Sequence, residues 1–145
     1  MRLMEYVVNI VAAPVDEAQA VADSECPLDE WRGIDAPGVT PAMLAQIEST
    51  LTGAALSESL DRCEPLAWGE GGASVPRLDD ALGERLVACD EEMLARCAEE
   101  LAGSEAFENE AWAEEEILSL LLALHALAES AEDAGAAFFV WLCAC

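Results

Sequence analysis

The spacing of apolar positions changes along the chain, and each change marks an element. Glu5-Tyr-Val-Val-Asn-Ile-Val-Ala12 is rich in β-branched and aromatic residues and predicts a strand, which Pro14 ends. Val15 to Asp23 predicts a short helix, with Asp16 and Glu17 in the first turn, where the helix dipole favours acids. From Ser24 to Pro41 the period is lost. Pro27, Gly33, Pro37, Gly38 and Pro41 predict an irregular segment, pinned to the core by Leu28, Trp31 and Ile34. Thr40-Pro41 then opens a helix, with Thr40 as N-cap and proline at the first helical position. Met43, Leu44, Ile47 and Leu51 recur at helical spacing, and Gly53 closes the run. A shorter helix over Ala54 to Arg62 carries Leu56 and Leu60.

Between Glu64 and Leu78 the glycines Gly69, Gly71 and Gly72 suit a tight turn, and Pro65 and Pro76 predict edge or irregular strands on either side. Asp79 to Val87 reads as helix. Asp90 caps the next one, whose apolar stripe is Met93, Leu94, Cys97, Ala98 and Leu101, with Gly103 at its end. A long helix from Asn109 to Asp133 follows, apolar at Trp112, Ile117, Leu120, Leu121, Leu124, Leu127, Ala128 and Ala131, with Gly135 as its closing glycine. Ala136 to Cys145 is an unbroken apolar run that predicts a buried strand. Strands at both ends with helices between them imply one α+β domain over residues 1–145. Both terminal strands lie in a small sheet packed against several helices, the long C-terminal one among them. Trp112, Leu121, Leu124 and Trp141 are expected where that helix meets the last strand.

Charge changes this picture more than composition does. Thirty Asp and Glu face six basic residues, all arginine, for a formal charge of −24. Without lysine, neither Schiff-base chemistry nor a P-loop lysine is open to the chain. Such a surface repels nucleic acid and anionic membranes and attracts basic proteins and cations. The first thirteen residues lack the form of a signal peptide, and the longest apolar stretch, Ile117 to Ala128, is too short to span a bilayer. These features predict a cytoplasmic protein in which all six cysteines are reduced.

Few residues carry candidate chemistry. His125 is the one histidine, set among leucines with no nucleophile motif around it, and reads as a helix residue at the core edge. No cysteines have C-x-x-C spacing. Cys143 and Cys145 share one strand face and form either a soft-metal or redox pair or, more simply, small apolar residues. The densest acids, Glu105, Glu108, Glu110, Glu114, Glu115 and Glu116, lack the glycine turn of a calcium loop and the Glu-x-x-His of a di-iron site. They read as helix N-terminal acids or as a partner-binding surface. Gly69-Glu-Gly-Gly72 has no lysine after it, and Glu70 would repel phosphate. No catalytic, cofactor or metal residue is assigned.

Leu28-Asp-Glu-Trp31, the helix end Leu51-Thr-Gly53, Glu64-Pro-Leu66 with Gly69-Glu-Gly71, and the closing Phe139-Val-Trp-Leu142 resemble the uncharacterised bacterial YfbM-like family. The family's Asp-Lys-Trp-like element is here Asp29-Glu30-Trp31, without lysine. The resemblance implies an α+β fold and brings no activity or site residue with it. Three functions remain in play. One is an interaction protein of inhibitor, antitoxin or immunity type covering a basic partner, with nucleic-acid mimicry as its strongest form. The others are a domain whose role is unrelated to its charge, and a carboxylate- or thiolate-based metal or enzyme site.

Overall fold

The computed structural model describes residues 7–61, 65, 67–69, 72–78 and 80–143, and of Asp133 and Ala134 the backbone alone. Five strands, β1 (Val7–Ala13), β2 (Arg32–Asp35), β3 (Ala67–Trp68), β4 (Ser74–Val75) and β5 (Ala137–Cys143), form one sheet in the order β2-β1-β5-β4-β3. Every neighbouring pair is antiparallel. The helices are α1 (Ala18–Asp23), α2 (Pro27–Glu30), α3 (Pro41–Thr52), α4 (Leu56–Asp61), α5 (Asp80–Ala88), α6 (Glu91–Ala102), α7 (Glu105–Glu108) and α8 (Glu114–Ala134). The expected α+β class, with both terminal strands in the sheet and a long C-terminal helix, is what the chain adopts.

The terminal strands pair along their whole length, from Val7 opposite Cys143 to Ala13 opposite Ala137. Their side chains alternate between two apolar clusters. Val8, Ile10, Phe138, Val140 and Leu142 enter a large cluster with α3, α5, α6, α7 and α8. Val11, Ala13, Phe139, Trp141 and Cys143 enter a smaller one with Val21 and Ala22 of α1, and Leu28 and Trp31 of the α2 segment pack against it. Helices thus cover both faces of the sheet. All seven residues of β5 are buried, which accounts for its unbroken apolar run.

Caps set the helix ends. The Thr40 hydroxyl accepts from the Met43 amide at 3.2 Å, and Gly53 closes α3 in the left-handed region at φ 78°. The Asp90 carboxylate accepts from Met93 N at 2.8 Å and starts α6. The short α7 connection makes α6 and α8 antiparallel neighbours.

The structure corrects four expectations. Arg32–Asp35 is not irregular but an edge strand on β1, where Gly33 lies so close that a Cβ would stand 2.5 Å from the Ile10 carbonyl oxygen. The last helix begins at Glu114 rather than Asn109, because Asn109 ends the separate α7. Trp141 points away from α8 into the smaller cluster, and Trp112 is half-buried in edge contact with Phe107. Not all cysteines are reduced: Cys143 is disulfide-bonded, whereas Cys26, Cys89 and Cys97 are free. The partner of Cys143 lies outside the described residues, as do Cys63, Cys145, Gly71 and the expected strand start at Glu5 and Tyr6. No helix among the described residues is long and apolar enough to cross a membrane.

Candidate functional site

The acid run follows from the local sequence. Ser104-Glu-Ala-Phe-Glu108 turns once around Phe107, which is wholly buried, and leaves Glu105 and Glu108 in solvent. Ala111 adopts a left-handed φ of 56°, and the Trp112 amide donates back to Phe107 O at 3.2 Å. Glu114, Glu115 and Glu116 then form the exposed first turn of α8. The Glu116 carboxylate accepts from the Ala113 amide at 3.2 Å, half of a capping box, since alanine offers no side-chain acceptor in return. Glu110 is half-buried and engaged. Of the six acids, Glu105, Glu108, Glu114 and Glu115 are therefore the ones fully offered to solvent without a capping task, and they share one end of the α6–α8 hairpin.

Acids are not confined to that end. Asp23, Glu25, Asp29 and Glu30 surround the exposed Cys26 on the layer formed by α1 and α2. A hydrogen bond with Asp29 raises the Cys26 thiol above its ordinary value, so this cysteine is not an activated thiolate. Burial raises Cys89, and burial, with Cys89 and Glu100 adding to it, pushes Cys97 up to about 11.

Little positive charge stands against these acids. Arg77 pairs with Asp80 at 2.8 Å and Arg96 with Glu92 at 2.8 Å. Arg85 donates to the Leu51 carbonyl at 2.9 Å and Arg32 to the Ser130 hydroxyl at 2.9 Å. Arg2 and Arg62 lie outside the described residues. Nearly every described carboxylate is exposed, with Glu48 fully buried and Glu17 and Glu110 partly so.

His125 has a structural task. Its Nδ1 donates to the Leu86 carbonyl at 2.6 Å, and Nε2 lies 2.8 Å from Glu129 one turn along α8. Nδ1 ties α8 to the last turn of α5 and Nε2 is held within α8 itself, so both ring nitrogens already have partners. Among the described residues no three His, Cys, Asp or Glu side chains are grouped to hold a metal ion. Cys143, being bridged, is not a thiolate ligand in this form.

One buried acid stands outside the sequence expectations. Glu48 is 2% exposed and borders, with Ser59, a cavity of about 10 Å³ walled by Leu44, Leu78, Val140 and Leu142. That is space for one water at most. Both Glu48 and Ser59 are engaged in polar interactions. The signal was present, since Glu48 stands four residues after Leu44 and three before Leu51, on the apolar face of α3. Comparison with family models, with curated proteins and with solved structures finds no match to this chain.

Proposed function

We propose that the protein is a non-enzymatic acidic binding module that covers a basic surface on a partner protein, in the manner of an inhibitor, antitoxin or immunity protein. The observation behind this reading is an acid excess that the fold does not consume. The charge is −24, and each described arginine is already engaged. Acids at helix N-termini are stabilised by the dipole and need no partner to explain them. Glu99 and Glu100 in the last turn of α6 and Glu132 in that of α8 stand where the dipole disfavours them. A surface of this kind captures cationic partners through steering, repels nucleic acid, and loses its pull as salt screens it. The cytoplasm is the proposed compartment on charge and hydropathy alone, since the Cys143 disulfide runs against the reduced thiols expected there.

The experiment is a pull-down at low and at moderate salt, paired with association rates for a variant in which Glu105, Glu108, Glu114 and Glu115 become glutamine. The reading expects a basic protein to be captured at low salt and the variant to associate more slowly with its fold intact. Absence of any basic protein at both salts sinks it and leaves the charge as a solubilising coat; equal rates for variant and native chain exclude the 105–115 end as the contact.

A further inference from the structure

Beyond Leu127 the core-facing ridge of α8 changes from leucine to alanine, at Ala128 and Ala131. Opposite, α5 carries Gly83, where an added Cβ would stand 2.9 Å from the Phe138 ring. Small residues on both helices leave a groove of about 590 Å³ between them, floored by Phe138 of β5. Val15, more than half exposed, and the partly exposed Val87 and Ala136 supply its accessible apolar wall. Its rim is charged: Asp80 and Glu84 on α5 and Glu132 on α8, against the single cation Arg77, which Asp80 already holds at 2.8 Å. The groove lies towards the far end of α8 from Glu105–Glu116, so it is a second acidic region and the one with an apolar interior.

We infer that this groove takes a lysine- or arginine-bearing, amphipathic segment of a basic partner protein. The aliphatic stems lie along Val15, Val87 and Ala136, and the cationic heads reach Glu84 and Glu132. Long basic side chains are suited to such a site because their methylenes bury while the charged end stays at the wet rim. The volume accommodates a few side chains. Carboxylates at the mouth exclude anions and favour a cationic head. The inference rests on the reading of the chain as an acidic binding module, and it locates the contact that makes such binding more than a field effect.

The test titrates the intact chain with a short amphipathic peptide of lysine and leucine, with oligolysine of equal charge as control, following backbone amide shifts by NMR. The amides of Gly83, Glu84, Ala131 and Ala136 are expected to move with the amphipathic peptide, and oligolysine to bind at least several-fold more weakly. The Glu84→Lys/Glu132→Lys variant, changed only at exposed positions, should keep its spectrum elsewhere and lose affinity by roughly tenfold or more, since two attractions become repulsions. Equal binding of oligolysine, equal affinity of the variant, or shifts concentrated at residues 105–116 overturns the groove. The last of these leaves the acidic-module reading standing. If the pull-down fails while the peptide maps to the groove, the groove stands and the broader reading falls.

Discussion

Phe107 is the one fully buried side chain of its four-residue helix, with Ala106 packed partly against the same core, and it holds the acid-bearing end of the α6–α8 hairpin in place. It is completely buried, and its ring meets Trp112 edge-on, with centroids 5.7 Å apart and planes at 71°. Phe107→Ala removes the burial and the ring pair together. Truncating a buried phenylalanine costs about 3–5 kcal/mol, and roughly 0.5–1.5 kcal/mol of such a loss belongs to the aromatic pair. Phe107→Leu keeps most of the volume and gives up the pair, for a loss of about 1–2 kcal/mol. Urea unfolding gives both numbers, provided the slope is unchanged between variants. Amide exchange adds a local reading, because the Glu108, Asn109 and Trp112 amides bond to Ser104 O, Glu105 O and Phe107 O. Their protection should fall before that of β1 and β5 in the alanine variant. A loss below about 1 kcal/mol for Phe107→Ala, with those three amides still protected, would refute the claim that this ring anchors the acidic end.

Gly69 stands against α1, and an added Cβ would lie 1.9 Å from the Ala22 carbonyl oxygen, a backbone atom that cannot turn aside. Gly69→Ala should therefore cost about 1–3 kcal/mol by thermal or urea unfolding, while Gly103→Ala, whose Cβ would meet its nearest atom at 3.7 Å, should stay within about 0.5 kcal/mol. Alkylation before unfolding, without reductant, should leave Cys143 unmodified and label Cys26 ahead of the buried Cys89 and Cys97. The folded state holds the Cys97 thiol neutral up to about 11 against an ordinary 9.0, so it retains a proton that the unfolded chain releases. Stability from this group is full below pH 9 and falls as pH rises towards 11, by about 1–3 kcal/mol. Cys97→Ala should flatten that part of the pH profile.

Elements bounded by local chemistry were legible in the sequence. Thr40-Pro41 with Gly53, Asp90 before α6, and Gly135 after α8 all act as caps, because capping depends on residues within one turn of each other. What was not legible depended on distant partners. Arg32-Gly-Ile-Asp35 becomes a strand only because β1 offers it an edge, and its glycine is demanded by the Ile10 carbonyl rather than by a turn. The side of the sheet that Trp141 faces could not be read, since burial on both faces erases the alternation that normally reports it. Asn109 has the composition of an N-cap, yet its backbone is helical because it ends α7. The groove over Phe138 was hidden for a related reason: Gly83 and Ala131 are ordinary helix residues until the two helices are set side by side.

The acids show the same limit from the functional side. Along the chain Glu105–Glu116 is the densest run, and density singled it out. In space two of its members have structural engagements, Glu116 at the cap of α8 and Glu110 half-buried, while Glu84 and Glu132, far apart in sequence, share the rim of an apolar groove. A helix gains about 0.3–1 kcal/mol from an acid in its first turn and loses a similar amount from one in its last. Among the described helices only α5 has a basic residue in its last turn, Arg85, and that side chain is bound to the end of α3. Helix stability therefore explains Glu91, Glu92 and Glu114 but works against Glu99, Glu100 and Glu132. The acids that the fold does not favour are the ones to neutralise first. If a basic partner reads this surface, Glu132→Gln should slow its association more than Glu91→Gln does; a coat that only keeps the protein soluble would not distinguish the two.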